Sequence, residues 1–312
     1  MARIQEIHVY QLDLPVVGPP YRMATSELTH LDTTLIEIVT DAGYSGFGEV
    51  CPLGSTYQPA HATGARAAIS TIAPHLIGMS VLEPLNITRK MDATLAGHAY
   101  AKAALDVAIW DVLGKILNLR VCDLLGGAAT DSVPSYYAIG IESPDNVAAQ
   151  VVDLQKQGYR RLQLKIGGRN IEEDIAVVRK AFEVRDSETQ MVLDANKSLT
   201  TRDAVTLSQA LHSLNFVLEQ PCDSYEEIKS LKGSICHPIY LDECATDAEV
   251  VMRGIFEGVA DGFGMKLTRV GGLSMMRGIR DICQASRRPM TCDDSWGGDI
   301  IAAACVHLGA TI

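Results

Sequence analysis

The sequence predicts an α/β protein, a modified TIM barrel of the (β/α)7β kind preceded by an N-terminal α+β capping domain. Three observations predict it. From residue 133 onward, short apolar runs alternate with helix-like stretches through seven units. Six of those runs close on a charged residue: RLQLK at Lys165, MVLD at Asp194, FVLE at Glu219, PIYLD at Asp242, GFGMK at Lys266 and PMTCD at Asp293, at spacings of 29, 25, 23, 24 and 27 residues. The first part of the chain lacks this alternation and reads as strands followed by helices. A parallel barrel exposes its active site at the C-terminal ends of its strands, so side chains that close successive strands share one rim. Doubly wound sheets alternate too, but no GxGxxG turn is present, and Gly167-Gly168 lacks the remaining spacing of a phosphate loop.

In chain order, IQEIHVYQLDL (4–14), TTLIEIVTD (33–41) and GYSGFGEV (43–50) read as strands, the last two joined by the hairpin signal Asp41-Ala42-Gly43. AYAKAALDVAIWDVLGKILNL (99–119) is the clearest helix, with apolar residues three and four apart. Glycine and small polar residues near 125–132 break the pattern, which places the domains at 1–128 and 129–312. VPSYYAIG (133–140) then reads as a strand. SPDNVAAQVVDLQKQG (143–158) reads as a helix begun by Ser143-Pro144 and stopped by Gly158. The units continue to the helical GGDIIAAACVHLG (297–309). The chain stops at Ala310-Thr311-Ile312, where an eighth strand is expected, so the barrel is read as truncated.

The net charge of −11 and pI near 5.2 argue against nucleic acid or an anionic membrane as partner. No apolar stretch approaches the roughly 20 residues of a membrane span, and MARIQEIHVYQLDLP alternates like a strand, not like a signal peptide. Eight scattered cysteines without a CxxC pair read as reduced thiols of a cytoplasmic protein, with no structural zinc.

The three acids Asp194, Glu219 and Asp242 close successive strands, flanked on either side by Lys165 and Lys266. One acid at a strand end is most simply a cap for the next helix. Three in register suit Mg²⁺, which takes a few carboxylates plus substrate or water oxygens. A lysine on each side then stands near either face of a substrate α-carbon. Lysine is a poor base at its usual pKa of about 10.4, and a nearby metal cation would lower it. The competing reading is a pair of structural salt bridges.

LQLKIGG, LDAN (193–196), EQP (219–221), LDE (241–243) and GFGMKLTRVGGL together resemble the enolase superfamily, in its muconate-lactonizing-enzyme-like branch, over the whole chain. The resemblance implies Mg²⁺-assisted removal of a proton α to a carboxylate, giving an enediolate. It makes Asp194, Glu219 and Asp242 the metal ligands, Lys165 and Lys266 the acid–base pair, and Asn196 and Glu243 the residues that orient them. It also implies a homo-oligomer. Gln163 departs from the family's usual Lys-x-Lys: a neutral glutamine does not repel Lys165 and so does not help lower its pKa. Members also normally continue for several dozen residues more.

The strand end at Asp293 carries no histidine, which sets the mandelate racemase arrangement aside. It carries CDDSWGG (292–298), in which Asp293 and Asp294 suit a substrate ammonium with Trp296 packed beside it. The other reading makes Asp294 or Ser295 a helix cap and Trp296 a core residue. These stretches resemble enzymes of the branch that act on proline derivatives, by dehydrating cis-3-hydroxy-L-proline or by epimerising a hydroxyproline betaine. A betaine needs an aromatic cage, and only Tyr21 and Tyr57 stand in the capping loops, with none in 24–32. That favours the dehydratase. A non-catalytic, metal-binding relative is the alternative of another class.

Overall fold

A computed structural model describes residues 2–18, 20–22 and 27–312. The first layer is an antiparallel sheet in which β1 (Ile4–Pro15) pairs with β4 (His30–Thr40), and β4 with β5 (Ser45–Val50). A small separate ladder joins β2 (Tyr21–Arg22) to β3 (Glu27–Leu28). The hairpin turn lies where the Asp-Ala-Gly signal put it. Gly43 takes φ +79° there, in the left-handed region that favours glycine, and its N–H donates to Thr40.

Helices α1 (Ala62–Ile72), α2 (Pro84–Thr94), α3 (Ala99–Leu117) and α4 (Val121–Leu124) follow. Three- and four-residue spacing suggests that α3 has one buried face. Instead every residue from Tyr100 to Trp110 is buried, because α3 lies between the antiparallel sheet and the barrel. Glycines make the close fit possible. A Cβ at Gly48 would stand 1.9 Å from the carbonyl of Ala104, and one at Gly46 would stand 2.3 Å from that of Ala108.

The second layer is a curled, wholly parallel seven-stranded sheet whose strands pair in chain order. It runs β6 (Tyr137–Ile139), α5 (Pro144–Lys156), β7 (Arg161–Lys165), α6 (Ile171–Val184), β8 (Gln190–Asp194), α7 (Thr201–Ala210), β9 (Val217–Glu219) and α8 (Tyr225–Ser230). It continues with β10 (Ile239–Leu241), α9 (Ala248–Phe256), β11 (Gly262–Lys266), α10 (Leu267–Val270), α11 (Leu273–Ala285), β12 (Met290–Asp293) and α12 (Asp299–Gly309). β6 is shorter than its apolar pattern suggests, and α10 is a single turn that no periodicity announces. Among the described residues no ladder joins the outer strands β6 and β12. The Tyr136 phenol crosses that seam and donates to Asp293 Oδ2 at 2.7 Å.

Two buried acids of the first layer hold helices of the second. Asp106 on α3 accepts from the Ser274 backbone N–H (2.9 Å) and hydroxyl (2.5 Å) at the start of α11. Glu49 on β5 accepts from the N–H groups of Gly298 (2.6 Å) and Ile301 (3.1 Å) at the start of α12. Neither α11 nor α12 has a side-chain cap of its own, so these carboxylates satisfy N–H groups that would otherwise be unpaired. Gly272 clears the space: a Cβ there would meet Asp106 Oδ2 at 2.5 Å. Among the described residues no helix is long and apolar enough to cross a membrane.

Candidate active site

Parallel pairing brings the charged strand ends together. Lys165 pairs in register with Asp194, Asp194 with Glu219, and Lys266 with Asp293, while Asp242 lies one residue past β10. Asp194, Glu219 and Asp242 are all buried and each offers a carboxylate oxygen within 4.8 Å of the others. Gly264 on β11 makes room for them, since a Cβ there would lie 2.5 Å from Glu219 Oε1.

Each carboxylate has its own neighbours. Asp194 pairs with Lys165 and accepts from the Asn196 backbone N–H (2.8 Å) and side-chain amide (3.2 Å). The Asn196 amide also donates to Glu243 Oε1 at 3.0 Å. Glu219 accepts from Gln163 at 2.7 Å. Asp242 takes Lys266 at 2.8 and 2.9 Å, Arg269 at 2.6 Å and the Tyr57 phenol at 2.9 Å. Asn196 and Gln220 hold left-handed backbones (φ +41° and +36°) that aim these loops inward. The fully buried Gln220 amide oxygen accepts the N–H groups of Asp242 (3.0 Å) and Cys244 (3.1 Å), which fixes the turn after β10.

Crowding of charge dominates the electrostatics. Burial, then the charges of Asp194 and Asp242, push Glu219 up to about 8. Burial, followed by the same two acids, pushes Glu243 up to about 8. Burial works to raise Asp242 as well, but Lys266 and Arg269 prevail and hold it at about 2. Burial works to lower Lys165 and Lys266, yet Asp194 and Asp242 respectively overcome it and hold both ammoniums above their ordinary range. The salt-bridge reading therefore describes two of the acids but not Glu219, which among the described residues has no cationic partner of its own. Three converging hard oxygen donors, two glutamates (the buried Glu219 and the partly buried Glu243) without an ion-pair partner among the described residues, and an orphaned Glu243 Oε2 fit a divalent cation of the Mg²⁺ type.

A cavity of about 780 Å³ opens beside the triad, between the strand ends and the first layer. Lys165, Lys266 and Asp293 line it, with Tyr57 and Trp296 opposite. Asp293 stands 4.0 Å from Lys266 Nζ. Asp294 also reaches the wall, but its oxygens accept from the Thr268 N–H (2.9 Å), the Thr268 hydroxyl (2.5 Å) and the Ser295 N–H (2.6 Å). Neither Asp294 nor Ser295 caps α12; Glu49 does. Trp296 meets Tyr21 edge to face, with centroids 4.8 Å apart.

The aromatic content read from the sequence needs correcting. Tyr21, Tyr57, Tyr136, Tyr137 and Trp296 all line the cavity, because the fold gathers rings from four distant segments. Of the loop 24–32, residues 24–26 lie outside the described residues. Arg269, Tyr136 and Gln220 are site residues that the strand-end ladder does not single out. Arg269 had a signal, since it lies one helical turn after Lys266. Tyr136 had none.

Among family models, the one described as "Mandelate racemase / muconate lactonizing enzyme, N-terminal domain" matches residues 6–126, and "Enolase C-terminal domain-like" matches 146–312. A cis-3-hydroxy-L-proline dehydratase from Roseibium aggregatum is 41% identical over 307 residues, covering 98% of this chain and 83% of that protein. A hydrophobic dipeptide epimerase from Enterococcus faecalis is 29% identical over 287 residues, covering 91% and 80%. A solved mandelate racemase/muconate lactonizing enzyme from Roseovarius nubinhibens ISM, complexed with magnesium, superposes with a TM-score of 0.96 at 35% identity, covering 99% of this chain and 85% of that one.

Proposed function

This chain belongs to the mandelate racemase/muconate lactonizing enzyme family of the enolase superfamily, and from that membership we propose that it dehydrates cis-3-hydroxy-L-proline to 1-pyrroline-2-carboxylate with Mg²⁺. The observation that carries the proposal is the placement of Lys165 and Lys266, each side chain 9% exposed, on strands that flank a buried carboxylate triad. The 41% identical dehydratase supports the choice of substrate.

Asp194, Glu219 and Asp242 would hold the metal, which when bound supplies positive charge that acidifies the carbon next to a substrate carboxylate. In cis-3-hydroxy-L-proline the hydroxyl shares a ring face with the carboxylate, so the α-hydrogen lies on the opposite face. Removal of that proton and departure of the hydroxyl therefore need groups on both faces, which two lysines on opposing strands provide. One lysine accepts the α-proton. The other donates a proton to the leaving hydroxyl, which departs as water. The resulting enamine tautomerises to the pyrroline. Asp293 would receive the ring ammonium, with the Tyr57 and Trp296 rings, which also line the cavity, around the substrate. Asn196 and Glu243 orient Asp194, and Gln163 orients Glu219.

A second reading is 2-epimerisation of a hydroxyproline betaine, in which the second lysine returns a proton to the opposite face. The ring-lined cavity favours it, since a quaternary ammonium is bound by aromatic faces. Proton NMR in D₂O with Mg²⁺ decides. Loss of the hydroxyproline signals with growth of pyrroline carboxylate supports the dehydratase, whereas deuterium at Cα of the betaine with a new epimer supports the second reading. If neither compound changes, the assignment to proline derivatives falls and a non-catalytic relative becomes the better account. We also place the boundary between two folding units at 128/129. The eight free thiols support a reducing, cytoplasmic setting.

A further inference from the structure

Tyr136 belongs to none of the strands, yet its side chain crosses the seam between β6 and β12 and ends on Asp293. Its hydroxyl donates to Asp293 Oδ2 at 2.7 Å, and the Arg161 guanidinium lies 5.4 Å from the ring centroid on one side. Among the described residues Asp293 Oδ1 has only a long 3.5 Å contact with the Thr291 hydroxyl, which leaves it able to accept from a cavity ligand. Lys266 Nζ waits 4.0 Å from Oδ2, so an unrestrained Asp293 has a competing cation within reach.

We propose that Tyr136 is the positioning residue that sets the site's preference for an amino-acid substrate, by fixing Oδ2 of Asp293 so that Oδ1 faces the substrate ammonium and the carboxylate does not collapse onto Lys266. This rests on the reading of Asp293 as the ammonium's partner. A hydrogen bond to a charged acceptor confers orientation as well as strength, and here it comes from a segment outside the strand that carries the carboxylate.

The test compares two small ligands in the presence of Mg²⁺ by calorimetry: L-proline, and tetrahydrofuran-2-carboxylate, which replaces the ring ammonium by an ether oxygen. The wild-type protein should bind proline more tightly. In Tyr136→Phe, proline should weaken about tenfold while the ether ligand holds its affinity. Asp293→Asn should weaken proline at least as much, and the double variant no more than Asp293→Asn alone, because Tyr136 acts through Asp293. A Tyr136→Phe protein that weakens both ligands alike, or neither, overturns the proposal, as does additivity in the double variant. A wild-type protein that does not distinguish the two ligands overturns the reading of Asp293 itself, an outcome separable from the others because it appears without any substitution.

Discussion

Asp194 and Asp242 differ in how many cations attend them, and the lysines should differ accordingly. Asp242 has Lys266 and Arg269, whereas among the described residues Asp194 has Lys165 alone. Replacing Lys165 by Ala leaves a buried carboxylate without a cation. In metal-free protein we expect that to cost roughly 3–5 kcal/mol of stability. Replacing Lys266 by Ala leaves Arg269 and Tyr57 on Asp242, so stability should change much less. Urea denaturation of both variants in chelator checks this contrast, and equal losses would contradict it. For activity the asymmetry should vanish: either substitution removes one proton-transfer group and should lower kcat about 10²–10⁴-fold on whichever substrate the wild type turns over.

At the scale of elements, the Asp106 cap makes a pH-dependent prediction. Burial pushes the Asp106 carboxyl from its ordinary 3.8 up to about 6, against the hydrogen bonds from Ser274 that pull it down. The sign follows from linkage. A carboxyl whose folded value is raised contributes its full stability below pH 4 and loses it as pH rises through 6. Asp106→Asn cannot titrate, so the stability difference, wild type minus variant, should fall across that window, as read by urea midpoints at pH 4 and pH 7. Gly48→Ala tests the packing beneath: its Cβ would stand 1.9 Å from the Ala104 carbonyl, and soluble expression should drop sharply. Such spots explain what the sequence could and could not convey. Strand ends are legible because parallel pairing repeats with a fixed rhythm and puts like positions side by side. The burial of α3 on all sides was hidden, since its alanines satisfy a one-faced pattern equally well, and the clue lay sixty residues away in the spaced glycines of β5. The ring-lined cavity was hidden for the same reason: composition counts aromatics but does not say which of them meet.

For the whole molecule, the concentration of buried negative charge at one end of the sheet predicts a thermal response to Mg²⁺. A ligand that binds the folded state at 100 times its Kd adds about 2.7 kcal/mol, which for a chain of this size raises Tm by several degrees. Scanning calorimetry with Mg²⁺ and with chelator should show that rise in wild type and lose it in Glu219→Gln. An unchanged Tm would count against the metal reading independently of any substrate. The acid caps also bear on how such a protein can be rebuilt. Glu49 and Asp106 act as keys, each cut to one helix start in the other layer, with Gly272 and Gly297 as the matching notches. A chimera that pairs this N-terminal layer with a foreign barrel would therefore need more than a compatible apolar seam. It would inherit two buried anions aimed at whatever stands in place of those helix starts, so shuffled halves should assemble only when both keys and both notches are exchanged together.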